Sequence, residues 1–70
     1  MDILAKRLVE LRAAKKVSRR EVSAKVGIVE RTYQRYENNE RDPDALILKK
    51  LADYYDVSAD YLLGRTDTPK

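Results

Sequence analysis

Residues Arg19–Asn38, RREVSAKVGIVERTYQRYEN, decide how this chain folds. Val22 and Val26 are four apart and share one face of a helix. Gly27 follows at once, where a glycine in the left-handed conformation ends a helix. Ile28 supplies an apolar residue to the turn. Tyr33 and Tyr36, three apart, give a second helix an aromatic face. Helix, short glycine turn, helix is the helix-turn-helix plan. The outward face of the second helix then carries Glu30, Arg31, Gln34 and Arg35.

Those four side chains hold the donors and acceptors that can read base edges in a DNA major groove. An arginine fork fits O6 and N7 of guanine, which makes Arg31 and Arg35 the best candidates. Gln34 can pair with adenine, or lie along the groove wall. Glu30 can accept from cytosine N4, provided it is held away from the phosphates it repels. The plainer alternative is that Arg31 and Arg35 are solvated helix surface. Tyr33 and Tyr36 read as core residues rather than base-stacking platforms, and Tyr54, Tyr55 and Tyr61 as core or interface.

Seventy residues make one domain with a small core. With no cysteine and no histidine, neither a disulfide nor a zinc site is expected, and no cofactor or small-molecule ligand is evident. The absence of cysteine fits a reducing cytoplasm. No signal peptide and no apolar run near 18 residues is visible, so no membrane association is expected. Net charge is +3, unevenly spread. Residues 1–41 hold 11 basic and 6 acidic residues, and residues 42–70 hold 4 and 6. A polyanion partner for the basic part is a fair inference, against the alternative of a solvated cationic surface. Without histidine, cysteine, a glycine-rich phosphate loop or a paired acid cluster, the composition argues against an enzyme.

Along the chain, the first helix is expected over Asp2–Lys15, with Asp2 as its cap and Leu4, Leu8 and Leu11 facing inward. Lys6, Arg7, Arg12, Lys15 and Lys16 form its polar complement. Ser18-Arg19-Arg20-Glu21 fits a capping box that opens the second helix. Ser23 reads as a small packing residue. The third helix spans Glu30–Glu37, with the poor cap Val29 before it and Asn38-Asn39 closing it. Pro43 should sit just before or at the first turn of a fourth helix, Asp44–Tyr55. Leu46 and Ile47 widen its apolar surface beyond one core stripe. Asp56 takes a helix-ending place where glycine would be easier, and Val57 plugs the core. Ser58 caps a short fifth helix, Ala59–Leu63, ended by Gly64. Residues 1–64 form the domain, and 65–70 read as a flexible tail.

These residues, taken in order, resemble the phage repressor and Cro-type (xenobiotic-response-element) helix-turn-helix family of bacterial transcription regulators. The resemblance covers about Leu4 to Asp67. It is carried by L-x-x-L-R at Leu8–Arg12, S-R-R-E-V-S-A-K-V-G-I at Ser18–Ile28 and R-Y-E-N at Arg35–Asn38. It continues through R-D-P at Arg41–Pro43, L-A-D-Y-Y at Leu51–Tyr55 and V-S-A-D-Y-L-L-G-R-T-D at Val57–Asp67. It implies an all-α fold, a compact five-helix bundle of the lambda-repressor-like DNA-binding type. It implies recognition positions at Val29, Glu30, Arg31, Gln34 and Arg35. The family's phosphate-touching glutamine falls on Arg19, and a second phosphate contact falls on Asn38. Arg12 and Glu37 match a family ion pair that joins the first helix to the end of the third. Where the family usually has Ser or Thr, Val29 has no side-chain hydrogen bond to offer. Asn39 and Asp56 replace usual glycines, and Ser23 a usual alanine.

Arg41, with Lys16 and Lys25 as weaker candidates, is placed to hold further phosphates, which fix register without reading sequence. The function expected is a sequence-specific double-stranded-DNA-binding regulator, a repressor, using its third helix on a palindromic operator as a homodimer. Its place would be the bacterial cytoplasm, on chromosomal or phage DNA. Leu46, Ile47, Tyr61, Leu62 and Leu63 are the candidate two-fold contact, with completion of the monomer core as the alternative. The competing function is a protein-interaction module, an antitoxin or antirepressor that keeps the fold.

Overall fold

A computed structural model describes residues 1–70 as five helices: α1 (Asp2–Lys15), α2 (Arg19–Val26), α3 (Glu30–Glu37), α4 (Ala45–Tyr55) and α5 (Ala59–Leu62). Each contributes its periodic apolar residues to one core. Leu4 and Leu8 come from α1, Val22 and Val26 from α2, Tyr33 and Tyr36 from α3, Leu51, Ala52 and Tyr55 from α4, and Leu62 from α5. The helix α1 packs on α3, α4 and α5, while α2 rests on α3 and α4. Leu11, Ile28 and Val57 pack around this cluster, partly buried. Ser23 is buried where α2 meets its neighbours, its Oγ donating to Arg20 O at 3.0 Å. No helix is long and apolar enough to cross a membrane.

The joints follow local chemistry. Ser18 Oγ accepts from Glu21 N at 3.1 Å, so the Ser half of the expected capping box forms. Asp44 caps α4 through Ile47 N at 2.9 Å, and Ser58 caps α5 through Tyr61 N at 3.0 Å. Gly27 ends α2 at φ 85°, and a Cβ there would meet nothing within 4 Å. Its backbone conformation, not crowding, is what asks for glycine. Asn39 and Asp56 hold φ 59° and φ 56° at the places where glycine would be easier. Lys16 does the same at φ 59°, closing α1 with no helix-stopping residue type to announce it.

Several expectations are corrected. Asp2 is the first residue of α1, not its cap; its carboxylate instead accepts from Asn39 Nδ2, tying α1 to the α3–α4 connection. Asp44 is the cap of α4 rather than its first residue, and α5 stops at Leu62. Arg7, assigned to the polar face of α1, is only 9% exposed. Its guanidinium lies 4.0 Å over the Tyr61 ring. It donates to the carbonyls of Tyr61 and Thr66 and pairs with Asp67 at 3.0 Å. Through those bonds the segment after Gly64 lies against the bundle, where the sequence suggested a frayed tail. Pro69 O also accepts from Ser58 N at 2.7 Å. Leu62 is fully buried in the core and cannot be a contact to another molecule.

At the centre of the core two phenols meet, Tyr33 Oη and Tyr55 Oη, 2.6 Å apart. Burial pushes both hydroxyls up, that of Tyr55 to about 12 from an ordinary 10.0. A group whose folded pKa is raised contributes stability that is complete below its unfolded pKa and lost as pH rises through the folded one. Thermal unfolding should therefore hold steady up to about pH 10 and fall from there toward about pH 12. Tyr33→Phe should cost about 1–3 kcal/mol by stranding the Tyr55 hydroxyl, Tyr55→Phe less because the Tyr33 hydroxyl keeps Glu37 beside it, and the double variant less than the sum. Unfolding curves for the two single variants and the double variant against pH test both expectations.

Candidate nucleic-acid interface

The position of α3 is set from its inner side. Tyr33 and Tyr36, buried to within 3% of full burial, anchor it in the core. The third anchor is charged. Glu37, 6% exposed, ends α3 and takes Arg12 Nε at 2.7 Å and Arg12 Nη2 at 3.2 Å. It also takes Arg19 Nε at 3.0 Å. Arg12 donates further to Val17 O at 3.2 Å, so one carboxylate joins α1, the entry of α2 and the end of α3. Burial alone would push the Glu37 carboxyl up. Hydrogen bonds from the two arginines, with the Tyr33 hydroxyl beside them, overcome this and hold it below the usual carboxylate range. The Arg12 guanidinium is raised in turn, by its bond to Glu37.

The outer side of α3 is polar throughout. Glu30, Arg31 and Gln34 are exposed and Arg35 is half-buried. Arg31, Gln34, Arg35, Asn38 and Glu40 line a concavity that contains no hydrophobic residue. The structure thus brings together three of the four base-reading candidates and Asn38. Glu30 lies on the same helix outside that hollow. Glu40 shares it and was not anticipated; no helical period reaches across the loop to announce it.

Arg31 and Arg35 belong to none of the seven ion pairs, and neither do Arg41, Lys16 and Lys25. Two like charges at i and i+4 repel along the helix by a few tenths of a kcal/mol, roughly 0.2–0.5. An anion placed against this face would relieve the repulsion.

The remaining candidates are more scattered. Lys16 is exposed at the C-terminal end of α1 and Arg41 midway along the α3–α4 connection. Lys25 lines a separate groove with Val26, Lys50, Asp53 and Tyr54, on the α2–α4 side. Arg19 has a double role. Only its Nε is committed to Glu37, and its side chain keeps 38% exposure. Its two Nη groups remain for an outside anion. The part Arg19 plays in the Glu37 cluster is invisible in the local sequence, because Glu37 is 18 residues away.

A buried three-helix brace behind α2 and α3 that presents the polar, cation-bearing face of α3 defines a helix-turn-helix domain. A family model described as Helix-turn-helix matches residues 8–62, and this chain belongs to that family, in its Cro/CI-type branch. It is similar to the HTH-type transcriptional regulator ImmR of Bacillus subtilis (strain 168), with 40% identity over 96% of this chain and 53% of the relative. It is also similar to two other regulators of that organism. The uncharacterized HTH-type transcriptional regulator YobD is 43% identical over 90% of this chain and 56% of its own length. The HTH-type transcriptional regulator AnsR is 42% identical over 84% of this chain and 51% of its own. The chain spans about half the length of the curated relatives it matches. No solved structure gives a significant match.

Because the folded pKa of Glu37 is depressed, its contribution is complete above the unfolded value of 4.5 and lost as pH falls through the folded one. Glu37→Gln should cost about 1–3 kcal/mol at neutral pH, since each arginine then faces a neutral amide. The difference between the two proteins should shrink as the solution is acidified below about pH 4. Denaturant unfolding of both at neutral and acid pH checks this; a gap independent of pH would mean that Glu37 acts by packing alone.

Proposed function

We propose that this domain is a sequence-specific double-stranded-DNA-binding transcription regulator, a repressor, that inserts α3 in the major groove. The observation that carries the reading is the row of uncommitted donors on α3, held rigidly from behind by Tyr33, Tyr36 and Glu37. Arg31 and Arg35 read guanine, and Gln34 reads adenine or lines the groove. Glu30 accepts from cytosine. The Nη groups of Arg19, with Asn38, Arg41 and Lys16, grip phosphates, and Lys25 contributes a weaker pull from its own groove. The likeness to named transcriptional regulators supports this reading, as does the +5 balance of residues 1–41. It is a binding module rather than an enzyme, at work on cytoplasmic DNA.

Binding as a homodimer on a palindrome is part of the same proposal. One small module buries little area on DNA, and helix-turn-helix proteins double it across half-sites about 34–36 Å apart. Leu46 is 60% exposed at the start of α4, beside the half-buried Ile47. Tyr61 and Leu63 are half-buried on α5 and just after it. These four, without Leu62, are the surface proposed for the two-fold contact.

Selection of bound sequences from random duplex DNA, followed by titrations at two salt concentrations, tests the reading. A palindromic consensus is expected. Arg31→Ala and Arg35→Ala should each lower affinity for that consensus about five- to 150-fold and relax the preference at one position. Arg41→Ala should weaken all sequences alike and reduce the slope of log affinity against log salt by about one. Thermal stability of the two α3 variants should stay level or rise, because neither arginine is paired. Binding without a consensus that fades with salt would refute sequence-specific regulation.

A further inference from the structure

We propose that Glu40 is a selectivity residue: it weakens the hold of Arg35 on phosphates and spares its hold on a guanine edge. The inference rests on the DNA-binding reading above and adds to it a device against wrong sites. Glu40 stands outside α3, in the connection to α4, and is exposed. It nevertheless lines the same hollow as Arg31, Gln34, Arg35 and Asn38, and it is the only acid there.

The backbone puts it there. Asn39 turns left-handed at φ 59° after the cap residue Asn38. Asn39 N then donates to Tyr36 O at 3.3 Å, and Glu40 N to Arg35 O at 2.9 Å. This pair of bonds is the Schellman closure. In it the residue in the place of Glu40 commonly makes an apolar contact with the residue in the place of Arg35. Here the two places hold an acid and an arginine. They form no ion pair with each other, and neither takes part in any other. Across a hollow of about 240 Å³ they lie within one screening length, about 8–10 Å, so each charge feels the other without contact.

At an exposed site an acid facing an arginine adds little to folding. On DNA it matters more. A phosphate brought to Arg35 carries a charge that Glu40 repels, whereas O6 and N7 of guanine are neutral acceptors. At a wrong sequence Arg35 lacks its guanine and has only phosphates to take, so the carboxylate weakens that complex. At the right sequence Arg35 lies on guanine, and the carboxylate adds no such penalty. Repulsion of phosphates gripped in both complexes, at Asn38 or Arg41, cancels in the ratio of the two affinities. That ratio, which decides occupancy among many competing sites, is what Glu40 raises.

The test measures affinity for the consensus duplex obtained by selection and for a scrambled duplex of the same composition. Glu40→Gln keeps the shape of the side chain and removes its charge. It should bind the scrambled duplex more tightly than the unaltered domain does, and the consensus-to-scrambled ratio should fall about two- to fivefold. Glu10→Gln removes one exposed negative charge from α1 and should leave the ratio unchanged. In an Arg35→Ala background, Glu40→Gln should leave it unchanged as well. A ratio that stays level in Glu40→Gln, or that falls because the consensus is bound more weakly, would overturn the proposal and leave the DNA-binding reading intact. So would a fall of equal size in Glu10→Gln, or one that persists without Arg35. Absence of any consensus would overturn both.

Discussion

A carboxylate that is almost wholly buried must be held by cations, or it takes up a proton and loses its charge. Glu37 is held by two, and they reach it from different helices. Arg12 comes from the last turn of α1 and Arg19 is the first residue of α2. That geometry makes the charge a three-way joint. The orientation of α3 relative to α2 is fixed by a directional bond and not by apolar contact alone, which slides more easily. Breaking such a pair from one side leaves a buried charge unanswered, and this is costlier than the pair is stabilising. The joint therefore acts as a constraint on geometry more than as a source of net stability.

The arginines of the chain divide by what answers their charge. Arg7, Arg12 and Arg19 turn inward or along the surface, and each finds a carboxylate. Arg7 also closes two backbone carbonyls, one at the end of α5 and one beyond it. Arg65 pairs with Asp60 at 3.6 Å, whereas Arg20, Arg31, Arg35 and Arg41 find no carboxylate. The planar fork serves both groups, because it meets a carboxylate, a phosphate or a guanine edge in the same bidentate way. What differs is the protein around it.

That division explains which parts of the molecule could be read from its sequence. Helix positions followed from short-range rules: apolar spacing for Val22 and Val26, and caps at Ser18 and Ser58. Left-handed closure at Gly27, Asn39 and Asp56 followed from residue types that tolerate positive φ. Lys16 takes the same conformation without such a cue, so it escaped. Arg7 escaped for a different reason. It lies within two turns of Leu4, Leu8 and Leu11 and has the composition of a surface residue. Its partners Tyr61, Thr66 and Asp67 are more than 50 residues away. Leu62 failed in the opposite sense. An apolar run, Leu62-Leu63 after Tyr61, cannot show which member points inward when the helix has four residues. The polar face of α3 was legible because one helix carries all of it. The sharing of Glu37 by Arg19, and the presence of Glu40 in the hollow, depend on how separate elements meet.

The shape of α3 follows from these limits. Eight residues are too few for a helix to be stable alone in water. Its outer face is polar, so apolar anchoring is confined to Tyr33 and Tyr36 on one side. A third anchor from the same narrow face has to be Glu37, at the last turn, where an acid is opposed by the helix dipole. Arg12 and Arg19 offset that opposition and at the same time fix the helix end. The brace is buried and the outer cations are not, so dissolved salt acts on them unequally. Screening over about 8–10 Å at ordinary ionic strength reaches Arg31, Arg35 and Arg41 and largely spares Glu37. The surface that would grip a polyanion can thus respond to ions while the frame that aims it does not move.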